Sequence, residues 1–542
     1  MLRVVFAAGA LLSFGVLSTQ AQLGDTAVET AEVAVQEDVS ANQNPDGELD
    51  AKEDTADDSE VGSVRSAVVK IYSIRRSHSL SSPWKRLTSS TVTGSGFVLS
   101  PTEVLTNYHV VAMTTDVSVS LNGQSERLSG RVKAIAPGLD IALIELEEPL
   151  PDRIKPLPVA KKTPKGGTQI QVYGYPKGGD ALSITEGVIS RMEHVRYKYN
   201  ARGLRTQIDA PLNSGNSGGP MIADGKVLGI AFSGLSSSND IGYAIPCEEL
   251  NVILDDMQDG TYDGKPQLWI STSTLASKEM RKWLKMPSGA TGIRFARMPI
   301  PVDDYPLQSN DVITHVGEFE VNNLGKVNLD SNTQVTYTYA VDQAASNGKV
   351  PLKILRDGKP MEIEVPVFRD SHLLLDYMIE QQPTYFVYGP IVFGVATVEL
   401  LSSFDLAIKR GGRTGAGIAA LVASMQEREN PLFMRRYECV KDDAEELVIV
   451  TKLIRNRMTR DTSLGLPAVV RSINGQPIKT IKQAAEVLAA LEDELLVIEF
   501  DDNRSSTIVL DRKAIEKAHD QIMEDNGIVK AASKNLRDVW DR

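Results

Sequence analysis

Only two cysteines, Cys247 and Cys439, occur in 542 residues, so no disulfide framework holds this chain together even in an oxidising compartment. No CxxC, HExxH or EF-hand spacing is present, and no metal or other cofactor is expected. There is no basic excess: 58 Lys and Arg stand against 71 Asp and Glu, which gives no nucleic-acid footprint. Beyond the N-terminus no apolar run is long enough to span a membrane.

The charge is concentrated in one place. Residues 22–62 hold 13 acidic side chains against Lys52 alone, about the whole formal charge of −13. With no aromatic residue and no sustained period, this stretch is expected to be disordered, leaving a folded remainder close to neutral. Before it, Met1-Leu2-Arg3 is a short basic region, 4–17 is almost wholly apolar, and Thr19-Gln20-Ala21 is a small-residue cleavage site. Residues 1–21 read as a secretory signal, which predicts an exported protein, periplasmic or secreted. An uncleaved anchor is the other reading; no membrane span is expected after cleavage.

Residues 63–262 are filled by short β-rich runs separated by turn residues. About 12 such strands fit two six-stranded barrels better than a parallel sheet with helices. Three residues in this region carry a chemical pattern. Ser217 stands among glycines in Gly215-Asn216-Ser217-Gly218-Gly219-Pro220. A serine hydroxyl is a poor nucleophile near neutral pH and needs a base and an oxyanion site. Backbone N–H groups of Gly215, Asn216 and Ser217 are the candidate oxyanion donors. His109 ends an apolar strand in Thr106-Asn107-Tyr108-His109-Val110-Val111 and is the candidate base. Asp140 precedes an apolar strand in Leu139-Asp140-Ile141-Ala142-Leu143 and is the candidate orienting acid. The order His, Asp, Ser is that of paired-barrel proteases, not of subtilisins or α/β-hydrolases. Gly229, Ile230, Ala231, Phe232 and Ile241 are the candidate substrate-specificity wall. His78 and His194 lack a strand-end context of this kind and read as structural.

These motifs, with Gly94-Ser95-Gly96-Phe97 and Ile241-Gly242-Tyr243-Ala244-Ile245-Pro246, together resemble the HtrA/Deg (protease Do-like) family of serine endopeptidases. The resemblance implies a chymotrypsin-like double β-barrel and ATP-independent cleavage of unfolded or damaged polypeptides after small aliphatic residues. It also implies homo-oligomers, trimers or multiples of trimers. Asn216 stands where trypsin-like zymogens carry an Asp paired with a freshly cut N-terminal amine, so maturation by that route is not required. Switching is expected instead in 211–215 and in the Ser/Gly-rich loop 233–240.

Two α+β regions follow. Residues 265–370 resemble a PDZ domain, a module that captures chain termini by strand addition. Its carboxylate-loop candidate is Leu268-Trp269-Ile270, with Trp269 where a glycine is usual. Residues 371–510 read as a divergent second PDZ-like domain. There Phe393-Gly394-Val395 is either a carboxylate loop or part of a buried strand or subunit interface. Residues 511–542 form a charged, helical extension. The tail is similar to the plant-type Deg branch. The fold class expected is therefore mostly β: a double-barrel protease followed by two PDZ-like α+β domains. A chaperone or scaffold that binds unfolded chains with little proteolysis is the alternative.

Overall fold

The computed structural model describes residues 57–232, 242–300, 302–331, 333–369, 371–440, 445–462, 464–504 and 506–540. The expected signal segment and the acidic stretch up to 56 lie outside the described residues, as do Ile241 and residues 233–240. Helix α1, Asp57–Ala67, crosses the boundary that composition puts at 62.

The first closed barrel contains β1 (Val68–Arg75), β2 (Ser90–Ser100), β3 (Glu103–Thr106), β4 (Thr114–Leu121), β5 (Arg127–Ala136) and β6 (Ile141–Leu146), paired antiparallel in the order β1-β2-β3-β6-β5-β4. One helical turn, α2 (Tyr108–Val111), follows β3. The alternation that makes β4 a strand is plain: Val117, Val119 and Leu121 face the core while Ser118 and Ser120 lie between them. The second closed barrel contains β7 (Gln169–Gly174), β8 (Ser183–Arg196), β9 (Arg202–Ile208), β10 (Pro220–Ala223), β11 (Lys226–Phe232) and β12 (Gly242–Pro246). Its order is β10-β11-β12-β9-β8-β7, and α3 (Cys247–Asp256) leaves it.

The first PDZ-like unit contains β13 (Ser271–Thr274), α4 (Lys278–Trp283), β14 (Ile293–Arg297), β15 (Val312–Val316), β16 (Phe319–Glu320), β17 (Lys326–Asn328), β18 (Gln334–Thr336), α5 (Thr338–Ala344), β19 (Lys349–Arg356) and β20 (Lys359–Pro366). Its joint with the second barrel is charged and buried. Lys265 Nζ lies 2.6 Å from Glu249 of α3 and 2.8 Å from Asp342 of α5. His194 is largely buried in this joint, with Nδ1 2.6 Å from Thr336 Oγ1.

The His194 imidazole is pushed down to about 3, first by burial and then by the charges of Lys265 and Arg202. Below its unfolded value near 6.5 the unfolded chain binds a proton that the folded chain refuses. The stability from neutral His194 is therefore full above that value and lost as pH falls towards 3. Burial pushes Asp342 up to about 7, which weighs the opposite way between its unfolded and folded values. That effect is common to wild type and a His194→Gln variant. Between pH 7 and 5, wild type should lose stability relative to His194→Gln by up to about 1.4 kcal/mol per pH unit once below 6.5. Paired urea titrations at several pH values check this; parallel curves would show that His194 is not the titrating group.

The second PDZ-like unit contains β21 (Tyr385–Tyr388), β22 (Ile391–Val395), α6 (Val398–Arg410), α7 (Gly412–Glu427), α8 (Pro431–Met434), β23 (Val448–Leu453), β24 (Ala468–Ile473), β25 (Gln476–Pro477), α9 (Ile481–Ala489), β26 (Leu495–Phe500) and β27 (Thr507–Asp511). The charged extension folds back over it. After α10 (Arg512–Asp525), the tail pairs with β21 through Val387 N–H to the Ala531 carbonyl and Ser533 N–H to the Tyr385 carbonyl, at 2.7 and 2.9 Å. Trp540 is buried against the rings of Phe386 and Tyr388. Sequence marks 511–542 as an appendage because its helix is charged; its last apolar residues instead complete the core. Among the described residues no helix is long and apolar enough to cross a membrane.

Candidate active site

A single helical turn is unstable alone, so α2 takes its position from its neighbours. Asp140 supplies most of them. Its backbone carbonyl accepts from Tyr108 N–H and from Asn107 Nδ2, both at 3.0 Å. Its carboxylate accepts from His109 N–H at 2.8 Å and lies 2.7 Å from His109 Nδ1. A carboxylate only accepts, so Nδ1 carries the ring proton and Nε2 is left as the basic atom. Asp140 ends the turn Pro137–Leu139 at φ 58°, a left-handed conformation that Asp tolerates better than most residues. Its side chain is 6% exposed.

The serine loop is stitched to both barrels. Gly218 N–H donates to the Ala231 carbonyl at 3.1 Å, and Ala231 N–H donates to the Gly219 carbonyl at 2.8 Å. From the first barrel, Ser95 N–H donates to the Ser217 carbonyl at 2.9 Å and Ser95 Oγ to the Gly215 carbonyl at 2.8 Å. Thr106 Oγ1 in turn donates to the Ser95 carbonyl. This closeness explains the glycines. A β-carbon on Gly218, at φ 89°, would sit 2.1 Å from the Ser95 carbonyl oxygen, and one on Gly215, at φ 110°, 2.4 Å from that of Tyr175. Ser95 was not singled out by sequence, although Gly94-Ser95-Gly96 is the signal that marks it.

His109, Asp140, Gly215, Ser217 and Phe232 line one cavity of about 470 Å³. The oxyanion candidates are not equivalent. Asn216 N–H donates to the Asn213 carbonyl at 3.0 Å, closing a turn, and is not available to a substrate. The Ser214 carbonyl accepts from Lys177 N–H at 2.7 Å. In a planar trans peptide the Gly215 N–H then points the opposite way, from a residue that lines the cavity. The Asn216 side chain is buried, and neither polar atom has a hydrogen-bond partner among the described residues. A carboxylate there would be an unpaired buried charge, costing several kcal/mol more.

The expected specificity wall needs correction. Gly229, Ile230 and Ala231 are buried strand residues of β11, and of the described members only Phe232 lines the cavity. Its ring meets His109 edge-on at 6.2 Å between centroids. Ile241 lies outside the described residues. Arg196, Lys198 and Arg205, from the β8–β9 hairpin, line the same cavity. Sequence reading missed them because Arg196 and Arg205 are unremarkable within their strands and Lys198 within the turn between them.

The two PDZ loop candidates differ. Leu268 and Ile270 pack against the first PDZ-like core, just before the edge strand β13. Trp269 lies edge-on to the His372 ring at 5.6 Å. Phe393 and Gly394 are interior residues of β22, paired to β21 on one side and β23 on the other. Their backbone groups serve the sheet, so this triplet is a strand and not a carboxylate loop.

Two family models match the chain: a trypsin-like peptidase domain over residues 94–230 and a PDZ domain over residues 376–535. The chain is 30% identical to Protease Do-like 2, chloroplastic, of Arabidopsis thaliana, over 88% of this chain and 76% of that protein. It is 31% identical to Protease Do-like 4, mitochondrial, of the same plant, over 62% of this chain and 66% of that protein. Among solved structures it is similar to the HtrA-type protease AlgW with a tripeptide, at 21% identity and a TM-score of 0.45, covering 57% of this chain and 95% of that one.

Proposed function

The chain belongs to the protease Do-like (HtrA/Deg) family of serine endopeptidases, and we propose that it cleaves unfolded or damaged polypeptides without ATP through Ser217, His109 and Asp140. His109 Nε2 takes the Ser217 proton as Oγ attacks the scissile carbonyl, while Asp140 holds the imidazole and stabilises the imidazolium. The tetrahedral oxyanion is held by N–H groups of Gly215 and Ser217, an acyl-enzyme forms, and water releases it. The observation that carries this reading is the His109–Asp140 pair, at 2.7 Å, in one cavity with Ser217.

The signal segment supports export to a periplasmic or secreted compartment. Cleavage would be regulated by the PDZ-like domains and by assembly into trimers or multiples of trimers. A binding-only scaffold is not favoured, since the family is one of peptidases. The test is a single protein offered in two forms, folded and reduced-and-unfolded. The unfolded form should be cut to short peptides while the folded form persists; equal cleavage of both, or of neither, contradicts the reading.

A further inference from the structure

A strap crosses from the first PDZ-like unit to the second over residues 371–384, and it lies against the protease. Ile379 packs on the protease core, and the Tyr377 ring meets Tyr199 at 5.0 Å between centroids. At its centre, Glu380 Oε1 accepts from Tyr108 Oη at 2.7 Å and from Met113 N–H at 2.8 Å, and Oε2 lies 3.0 Å from the same N–H. Tyr108 is the first residue of α2 and the neighbour of His109; Met113 follows its end.

We propose that Glu380 is a positioning residue for His109, holding from the C-terminal half of the chain the helical turn that Asp140 holds from the barrel. The proposal rests on His109 being the general base. A one-turn helix has no orientation of its own. Asp140 fixes the backbone of Tyr108 and His109, and Glu380 fixes the Tyr108 hydroxyl and the N–H just past the turn. Both Met113, at φ 56°, and Glu380, at φ 53°, are left-handed. Non-glycine residues keep such a conformation only where their surroundings enforce it. Charge points the same way. Arg75 is half-buried, its Nε and Nη2 have no hydrogen-bond partner among the described residues, and burial pushes its guanidinium down. Glu380 is the first of the charges that oppose this, ahead of Tyr108 and Asp140. The far side of the strap is held by α6, through Met378 N–H to Glu399 and Val398 N–H to the Asp376 carbonyl, both at 3.0 Å.

The test measures kcat and KM on a peptide substrate, per active site titrated with a serine-directed phosphonate. Glu380→Ala should lower kcat about tenfold with KM within about twofold, the size expected for losing hydrogen bonds to a charged group at a partly exposed site. Glu380→Gln keeps an acceptor and should stay within about threefold of wild type. Tyr108→Phe leaves Met113 N–H on Glu380 and should lower kcat by a smaller factor, and the double variant should be no worse than Glu380→Ala alone. A merely structural role would reduce the titrated fraction or the melting temperature and leave kcat per titrated site unchanged; that result for Glu380→Ala overturns the proposal. Should Glu380→Ala fail to fold, wild-type kcat per site in Tyr108→Phe overturns it equally. A wild-type protein with no titratable serine would instead defeat the endopeptidase mechanism itself.

Discussion

Ser217→Ala should lower kcat on an unfolded protein substrate by about 10⁶-fold while leaving the fold and substrate binding in place. Removing one oxygen takes away the proposed nucleophile of the acyl-enzyme. The surroundings of the loop do not depend on that oxygen. They are set by backbone bonds: Ser95 N–H to the Ser217 carbonyl, Gly218 N–H to the Ala231 carbonyl, and Ala231 N–H to the Gly219 carbonyl. A methyl side chain in place of the hydroxymethyl group fits the same space, so the melting temperature should stay within a few degrees of wild type. The outcome that distinguishes catalysis from binding is the pair of measurements together. Casein digestion should vanish while association with unfolded chains persists. Digestion at the wild-type rate would place the nucleophile elsewhere.

Asp140→Asn should lower kcat by about 10⁴-fold with little change in overall structure. An Asn oxygen can still accept from His109 N–H, and the backbone carbonyl still accepts from Tyr108 N–H and Asn107 Nδ2, so α2 keeps its anchors. The second oxygen becomes an NH₂ group, which cannot accept from Nδ1–H. The imidazole then places its proton on Nε2, and the atom that should remove the Ser217 proton already carries one. The imidazolium formed during attack also loses its counter-charge. A fall of only a few fold would mean that Asp140 serves the helical turn and not the ring. The tautomer itself can be read by nitrogen NMR of His109 in both proteins.

The features that sequence makes legible are those written within a few residues of each other. Alternation in β4 and the glycine-rich run around Ser217 each follow from local steric needs, and the order of His109, Asp140 and Ser217 follows from the barrels. What stays hidden depends on where a backbone group or a distant side chain ends up. Asn216 N–H reads as an oxyanion donor by its place in the run, but a turn back to Asn213 occupies it. Gly229, Ile230 and Ala231 belong to the right strand, yet β11 is buried on both faces and of the described members only Phe232 lines the cavity. Whether Gly394 belongs to a loop or a strand stays open in the sequence because nothing local shows strands pairing on both of its sides. Glu380 has no local pattern at all. Its partner Tyr108 lies 272 positions earlier, so only the folded chain shows the contact.

The most direct measurement is the site and rate of modification by a peptidyl phosphonate, read by mass spectrometry on the intact protein and its peptides. One adduct per active chain should form, on Ser217, and His109→Ala should slow its formation by several orders of magnitude. Modification of a different residue, or labelling of Ser217 at an unchanged rate when His109 is absent, would contradict the shared chemistry of the two groups.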